Sequence, residues 1–461
     1  MQIFKIIRGN GKKYFDRIRN ERLKQNLLQA IPFWIASLIA GLIAVFYTKI
    51  FALSEQLSLY IFHRADWTIF ISAPVCFAIA WIVVIKFSPY SKGSGIPQVM
   101  AAIELANPKQ NYKVDKLLSL RIIIVKIVSS CIMSIGGGII GKEGPIVQIA
   151  GSVFRKINSW LPEWWPKISK RNMIMTGAAA GLAAAFNTPL GGIVFAVEEL
   201  TKTHISYFKT ALFTAVIIAG LTAQGLLGPY LYVGYPAINN PSASVFFCVI
   251  LVAVLAGLCG SFTGKWMLMI VKWKSSFKKL SHHFIYVVCC ALVIALAAFF
   301  LGDVVLNSGK ELMTSTLFTA QKYSPWYFPI ARMGGSILSF TTGTAGGVFA
   351  PALSAGASVG SAMAGWFHLS AVNSNVIILC GMVGFLTGIT RTPFTSAILV
   401  LEMTDRHNVI FHLMLAGMIA SMVSMIVDKH SLYDHLKVQY IHDINKEEEE
   451  TLQQKQLAEA V

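Results

Sequence analysis

The chain has 461 residues, 55% of them hydrophobic and only 13% charged, with mean hydropathy +0.61 and a formal charge of +17. That balance excludes a soluble enzyme and points to an all-α polytopic membrane protein, whose spanning helices need about 20 mostly apolar residues each. The basic excess does not call for nucleic acid, because basic loops set membrane topology and meet anionic lipid.

Residues 1–30 carry eight basic side chains (Lys5, Arg8, Lys12, Lys13, Arg17, Arg19, Arg22 and Lys24) against Asp16 and Glu21. A cleavable signal peptide has a short basic region followed by 7–15 apolar residues, a pattern this segment lacks. The spacing predicts a basic amphipathic helix on the cytoplasmic membrane surface. Apolar runs follow from about residue 31 to residue 427. Gly and Pro clusters interrupt several of them, which predicts more helical pieces than clean spans.

Three of these clusters share a design: GSGIP (93–97), GKEGP (141–145) and GGVFAP (346–351). Glycine permits turns that other residues resist, and proline suits the first turn of a helix. Each cluster can therefore start a helix at membrane depth, and irregular backbone there must line a cavity or be buried in protein. Helix N-termini present unpaired N–H groups and partial positive charge. Several aimed at one point make an anion site without full charges.

The second cluster closes the stretch GGGIIGKEGP (136–145), which has the G-x-x-x-x-G-K spacing of a phosphate loop. Such a loop needs Ser or Thr next, to hold Mg²⁺. Here Glu143 follows, which removes an ATP-driven pump from consideration. A carboxylate at a helix N-terminus is itself an anion. It can occupy the place of a permeating anion, take a proton and swing away, so Glu143 is a candidate gate and proton coupler. Lys126, inside RIIIVKIVSS, reads either as a snorkelling lysine or as an isolated charge that helps to hold an anion.

The stretches TPLGGIVFAVEEL (188–200) and TPFTSAILVLEMT (392–404) share Thr-Pro, and an acid nine residues after the proline, at a constant offset of 204. The acids are Glu198 and Glu402, and each stretch follows a Gly-rich break. The chain therefore divides into a first half, 31–235, and a second half, 236–437, followed by a short tail, 438–461, containing KEEEE, which reads as a solvated, partly helical end. Repeated halves suggest a transporter-like architecture with a midplane site between them, although the pattern alone leaves their relative orientation open. Glu198 and Glu199 form a pair from which one carboxylate can relay protons toward Glu143. Glu402 reads as structural.

Seven cysteines lie in apolar runs without zinc-like spacing,. The ten histidines form no metal-binding pattern, so neither metal nor cofactor is expected. Ser94 in G-S-G lacks the surroundings of a hydrolase nucleophile, and no histidine is placed as its base.

Taken in order, GSGIP, GKEGPIVQIAGS, GAAAGLAAAFNTPLGGIVFAVEEL, GGVFAPAL, RTPFTSAILVLEMTD and the late SLY (431–433) resemble the chloride channel/transporter (CLC) family over residues 30–437. The resemblance implies a homodimer with one pore per subunit, each subunit made of two inverted halves of tilted, partly broken helices. It implies that Ser94 and Tyr433 hold a central chloride with their hydroxyls and that the backbone N–H groups of Val348 and Phe349 complete the site. Gly144 would line an outer site, Glu143 would be the external gate, and Glu199 would be the internal proton station, with Glu198 and Lys126 supporting. Lys142 stands where many members carry arginine, which keeps the charge but not the planar fork.

Two acids, one sharing its place with the anion, favour a proton/chloride exchanger of the bacterial plasma membrane with both termini cytoplasmic. A voltage- or pH-gated chloride channel without proton coupling is the alternative. The serine of GSGIP favours chloride-type selectivity, and no CBS-type regulatory domain is expected after Tyr433.

Overall fold

The computed structural model describes residues 20–200, 209–228, 232–238, 245–320 and 322–459. Most of the basic N-terminal segment predicted from the sequence lies outside the described residues. The fold is built from helices. Among the described residues the only β-type pairings are two isolated bridges, Gly93 with Ala345 and Gly141 with Gly347. Among the described residues, eight helices are long and apolar enough to cross a membrane. Glu21–Arg64 is the longest at 44 residues, or roughly 65 Å at 1.5 Å per residue, so it must tilt or project beyond a ~30 Å hydrocarbon core.

Apolar stretches break inside the protein, at GGVFAP as the sequence predicts and at a further point it does not mark. Residues 173–200 divide at Asn187, which closes the helix Lys170–Phe186 in a left-handed conformation. The helix Pro189–Phe195 and a π-helical turn, Ala196–Leu200, follow it. The run 328–355 splits into Tyr327–Thr341 and Phe349–Trp366. In both cases the break places a helix start inside the apolar layer.

The halves repeat one helix order. Glu143–Trp160, Lys170–Phe186, Pro189–Phe195 and Lys209–Leu227 in the first half correspond to Phe349–Trp366, Ala371–Thr390, Pro393–Thr404 and Ile410–Val427 in the second. The packing repeats as well: in each half the first helix lies on the second, and the second on the fourth. The two Thr-Pro helices meet across the halves and cap each other. Glu198 accepts from the Phe394 and Thr395 N–H groups at 3.1 and 2.7 Å. Glu402 accepts from those of Leu190 and Gly191 at 3.1 and 2.6 Å. Each acid lies at the C-terminal end of its own segment and reaches the N-terminal end of the other, so equivalent helices run antiparallel. That is the relation an inverted repeat requires.

Two large apolar clusters hold the body together. One joins Ile96–Leu105, Val245–Lys274, Phe349–Trp366, Ala371–Thr390 and Tyr433. The other joins the long first helix to Ile69–Phe87 and Leu280–Leu301. The Gly-rich breaks lie between them, in the interior.

Candidate anion site and gate

Hydrogen bonds between loops draw the three breaks to one place. Gly93 N–H donates to Thr344 O at 2.7 Å, and Gly346 N–H to Gly93 O at 3.1 Å. Gly141 and Gly347 exchange a pair of bonds at 2.8 and 2.7 Å. The helices Ile96–Leu105, Glu143–Trp160 and Phe349–Trp366 start from these loops, and no side chain caps any of the three. Elsewhere in the chain Ser119, Ser169 and Ser370 cap their helices by accepting from backbone N–H groups. The breaks thus deliver uncapped N-termini to a buried centre, where their partial positive charge favours an anion.

Polar side chains from both ends of the sequence meet there. The hydroxyls of Ser94 and Tyr433, both fully buried, lie 3.5 Å apart. Ser94 Oγ rests over Gly144, where a Cβ would overlap it. The Phe349 ring stacks on Tyr433 at 6.3 Å between centroids, with 12° between planes. Val348 and Phe349 are buried at the start of their helix. Ser94, Gly144, Val348, Phe349 and Tyr433, which the family resemblance groups, are therefore neighbours in space.

Glu143 is buried at the first position of its helix. Its Oε1 accepts from the Tyr232 hydroxyl at 3.2 Å. Its Oε2 lies over Gly141 with no hydrogen-bond partner among the described residues. A buried carboxylate oxygen without a partner is costly, so the charged form of this side chain is held loosely from one side. The arrangement suits a group that is seated as an anion and leaves on protonation.

The sequence signature described as voltage gated chloride channel matches residues 75–425. The chain belongs to this family, the chloride channel/transporter (CLC) family. Its fold is similar to those of three solved relatives. One is a slow cyanobacterial Cl⁻/H⁺ antiporter, at 21% identity and TM-score 0.79, covering 91% of this chain and 99% of that one. Another is a CLC-type fluoride/proton antiporter, at 20% identity and TM-score 0.74, covering 89% and 98%. The third is a eukaryotic CLC transporter, at 18% identity and TM-score 0.71, covering 89% and 74%. At these identities the likeness establishes the fold.

Glu199 lies away from the central cluster of this CLC protein, in the π-helical turn after Phe195. A π turn widens the helix locally and is frequent at functional sites. Glu199 borders a 240 Å³ cleft with Glu104, Arg171 and Lys437, where Lys437 pairs with Glu104 at 3.2 Å. Both Glu143 and Glu199 are close enough to the Tyr433 hydroxyl to interact with it electrostatically. Their surroundings differ. Glu143 is within reach of Glu55, near one end of the long first helix. Arg171 adjoins Asn172, which shares a cleft with Asn26–Phe33 near the other end. Phe33 and Glu55 are 22 residues apart along that helix, roughly 30 Å.

Lys126 is fully buried, and its ammonium donates to the carbonyls of Ser91 and Gly93 at 3.1 and 2.9 Å. It braces the turn that presents Ser94. Glu198 caps the partner Thr-Pro helix and also accepts from Thr395 Oγ1 at 2.7 Å.

Tyr232, Lys310 and Glu55 border Glu143 and have no signature in the sequence. Tyr232 lies in the unremarkable stretch LYVGYP, 89 residues from its partner Glu143. Only the fold joins them.

Proposed function

We propose that this protein exchanges chloride, and similar monovalent anions, for protons across a bacterial plasma membrane. It acts as a homodimer with one pore per subunit and with both termini in the cytoplasm. The observation that carries the reading is the seating of Glu143, a buried carboxylate at an uncapped helix N-terminus beside the Ser94 and Tyr433 hydroxyls. There the anion and the carboxylate compete for one positive end, and protonation of Glu143 releases the place. Glu199, away from the central cluster and also within reach of Tyr433, supplies the second proton station that coupling needs.

The dimer reading is supported by the surface around the Thr-Pro helices. These are 7 and 12 residues long, too short to span, and their N-termini and Glu caps are partly exposed. Open backbone and carboxylates are costly against lipid. Exposed Leu190, Leu221, Phe394, Phe411, Met422 and Ile426 surround them with an apolar face that a second subunit would cover.

Chloride efflux from liposomes containing purified protein tests the reading. Glu143→Ala should keep chloride flux and lose its pH dependence, and Glu199→Gln should keep chloride flux and lose proton movement. If Glu143→Ala abolishes chloride flux, or Glu199→Gln leaves proton movement intact, these roles are wrong.

A further inference from the structure

Resting on the exchanger reading, we infer that Tyr232 is the latch of the gate: its hydroxyl holds the Glu143 carboxylate seated in the pore, and the ammonium groups of Lys142 and Lys310 hold its ring. Tyr232 Oη donates to Glu143 Oε1 at 3.2 Å. Among the described residues it is the side-chain hydrogen bond this carboxylate accepts, and the other oxygen has no hydrogen-bond partner there, so it biases which way the side chain is held. The ring carries two cations, Lys142 Nζ at 5.8 Å and Lys310 Nζ at 5.1 Å from its centroid. Two ammonium groups over one phenol draw electron density from it and strengthen its O–H as a donor.

The latch is anchored from several directions. Phe186 meets the Tyr232 ring edge-on at 5.1 Å, and Phe186 also contacts Phe349, which stacks on Tyr433. Val233 N–H donates to Met403 O at 3.3 Å, which ties the adjacent backbone to the second half. Lys310 starts the helix Lys310–Phe318, also in the second half, while Lys142 directly precedes the gate. Residues from both halves therefore converge on one phenol. If Tyr232 served packing alone, its ring would suffice, and the hydroxyl would have no reason to face the carboxylate.

The charged groups within electrostatic reach of Glu143 are Lys142, Lys310 and Glu55, and the phenols within reach are Tyr47, Tyr232 and Tyr433. Tyr47 is engaged with Ser130 at 2.6 Å and Tyr433 with Ser94. Tyr232 is the phenol that bonds the carboxylate itself. Its hydrogen bond favours the charged, seated form of Glu143. Without it, the side chain takes a proton and leaves its seat at higher pH.

The test is chloride flux into proteoliposomes as a function of external pH, for wild type and Tyr232→Phe, each alone and with Glu143→Gln. Tyr232→Phe keeps the ring and its cation contacts. The expected result is a pH profile displaced about one unit to the alkaline side, as for a lost hydrogen bond to a charged group. The maximal flux at acid pH should be unchanged, since protonated Glu143 is released with or without the latch. In the Glu143→Gln background the substitution should have no effect. Superimposable profiles for wild type and Tyr232→Phe, with wild-type flux still dependent on Glu143, would overturn the latch and leave the exchanger reading intact. An equal loss of flux at every pH would also overturn the latch, because it marks a structural role. Absence of chloride flux in wild type would overturn both.

Discussion

A methyl group on Gly141 would overlap Oε2 of Glu143, and one on Gly144 would overlap Ser94 Oγ and the Ser94 backbone. The two glycines of GKEGP are thus seats, one for the Glu143 carboxylate and one for the serine. Gly141→Ala should push the carboxylate from its place. The expected outcome is preserved chloride flux with a flattened pH dependence, read as efflux at several external pH values. Gly144→Ala presses on backbone that cannot move aside. Overpacking of this kind costs about 1–3 kcal/mol and displaces the Ser94 hydroxyl, so chloride flux should fall. Normal yield and elution of the variant would show that the loss is local. These glycines stand out in the sequence because a Gly/Pro break in an apolar run has a direct physical meaning. Which atom each one accommodates is not legible there, since Ser94 and Gly144 approach through tertiary packing.

The reciprocal capping of the Thr-Pro helices is a relation between elements, and it explains the TP-x₈-E pattern. Losing an N-cap costs about 0.5–2 kcal/mol. Glu402→Ala should therefore lower stability by about that amount, measured as a drop in the thermal midpoint of the detergent-solubilised protein. Symmetry predicts a similar drop for Glu198→Ala. An unchanged midpoint for both would remove the capping role. The repeat was readable because the spacing is constant, but antiparallel orientation became visible only through the crossed bonds.

A second element, the helix Leu432–Glu459, runs from Tyr433 to the acidic tail. Lys113 pairs with Glu448 at 2.5 Å and bonds Asn445 at 2.8 Å, and Lys116 pairs with Glu447 at 2.8 Å. The hydrogen bond from Lys113 holds the half-buried Glu448 carboxyl below its usual range, with Tyr112 adding to it. A lowered carboxyl contributes docking above its free value of about 4.3 and loses it as pH falls through the bound value. The tail should stay docked at neutral pH, loosen below about pH 4, and loosen in high salt, since exposed pairs are screened. Faster proteolysis of the tail under those conditions would show this, and equal rates at low and high salt would contradict it. The sequence predicted a solvated, partly helical end there. The structure shows a helix docked on the 111–116 segment, whose lysines lie over 300 residues away and so gave no local sign.

For the whole molecule, membrane class, the repeat and the Gly/Pro breaks that start buried helices could be read from composition and spacing. Tyr232, the brace at Lys126 and the separate surroundings of Glu143 and Glu199 could not, because each depends on how distant segments pack. Those features bear on the central proposal, that a carboxylate seated at the anion site and a second carboxylate away from it together couple chloride to protons. The most direct test is proton movement driven by chloride in sealed liposomes, with an imposed chloride gradient and an external pH electrode. The account predicts that chloride flowing down its gradient drives protons uphill, that the effect persists when valinomycin clamps the membrane potential, and that Glu199→Gln abolishes it while chloride still flows. Chloride flux without any coupled proton movement in the wild-type protein would contradict the account.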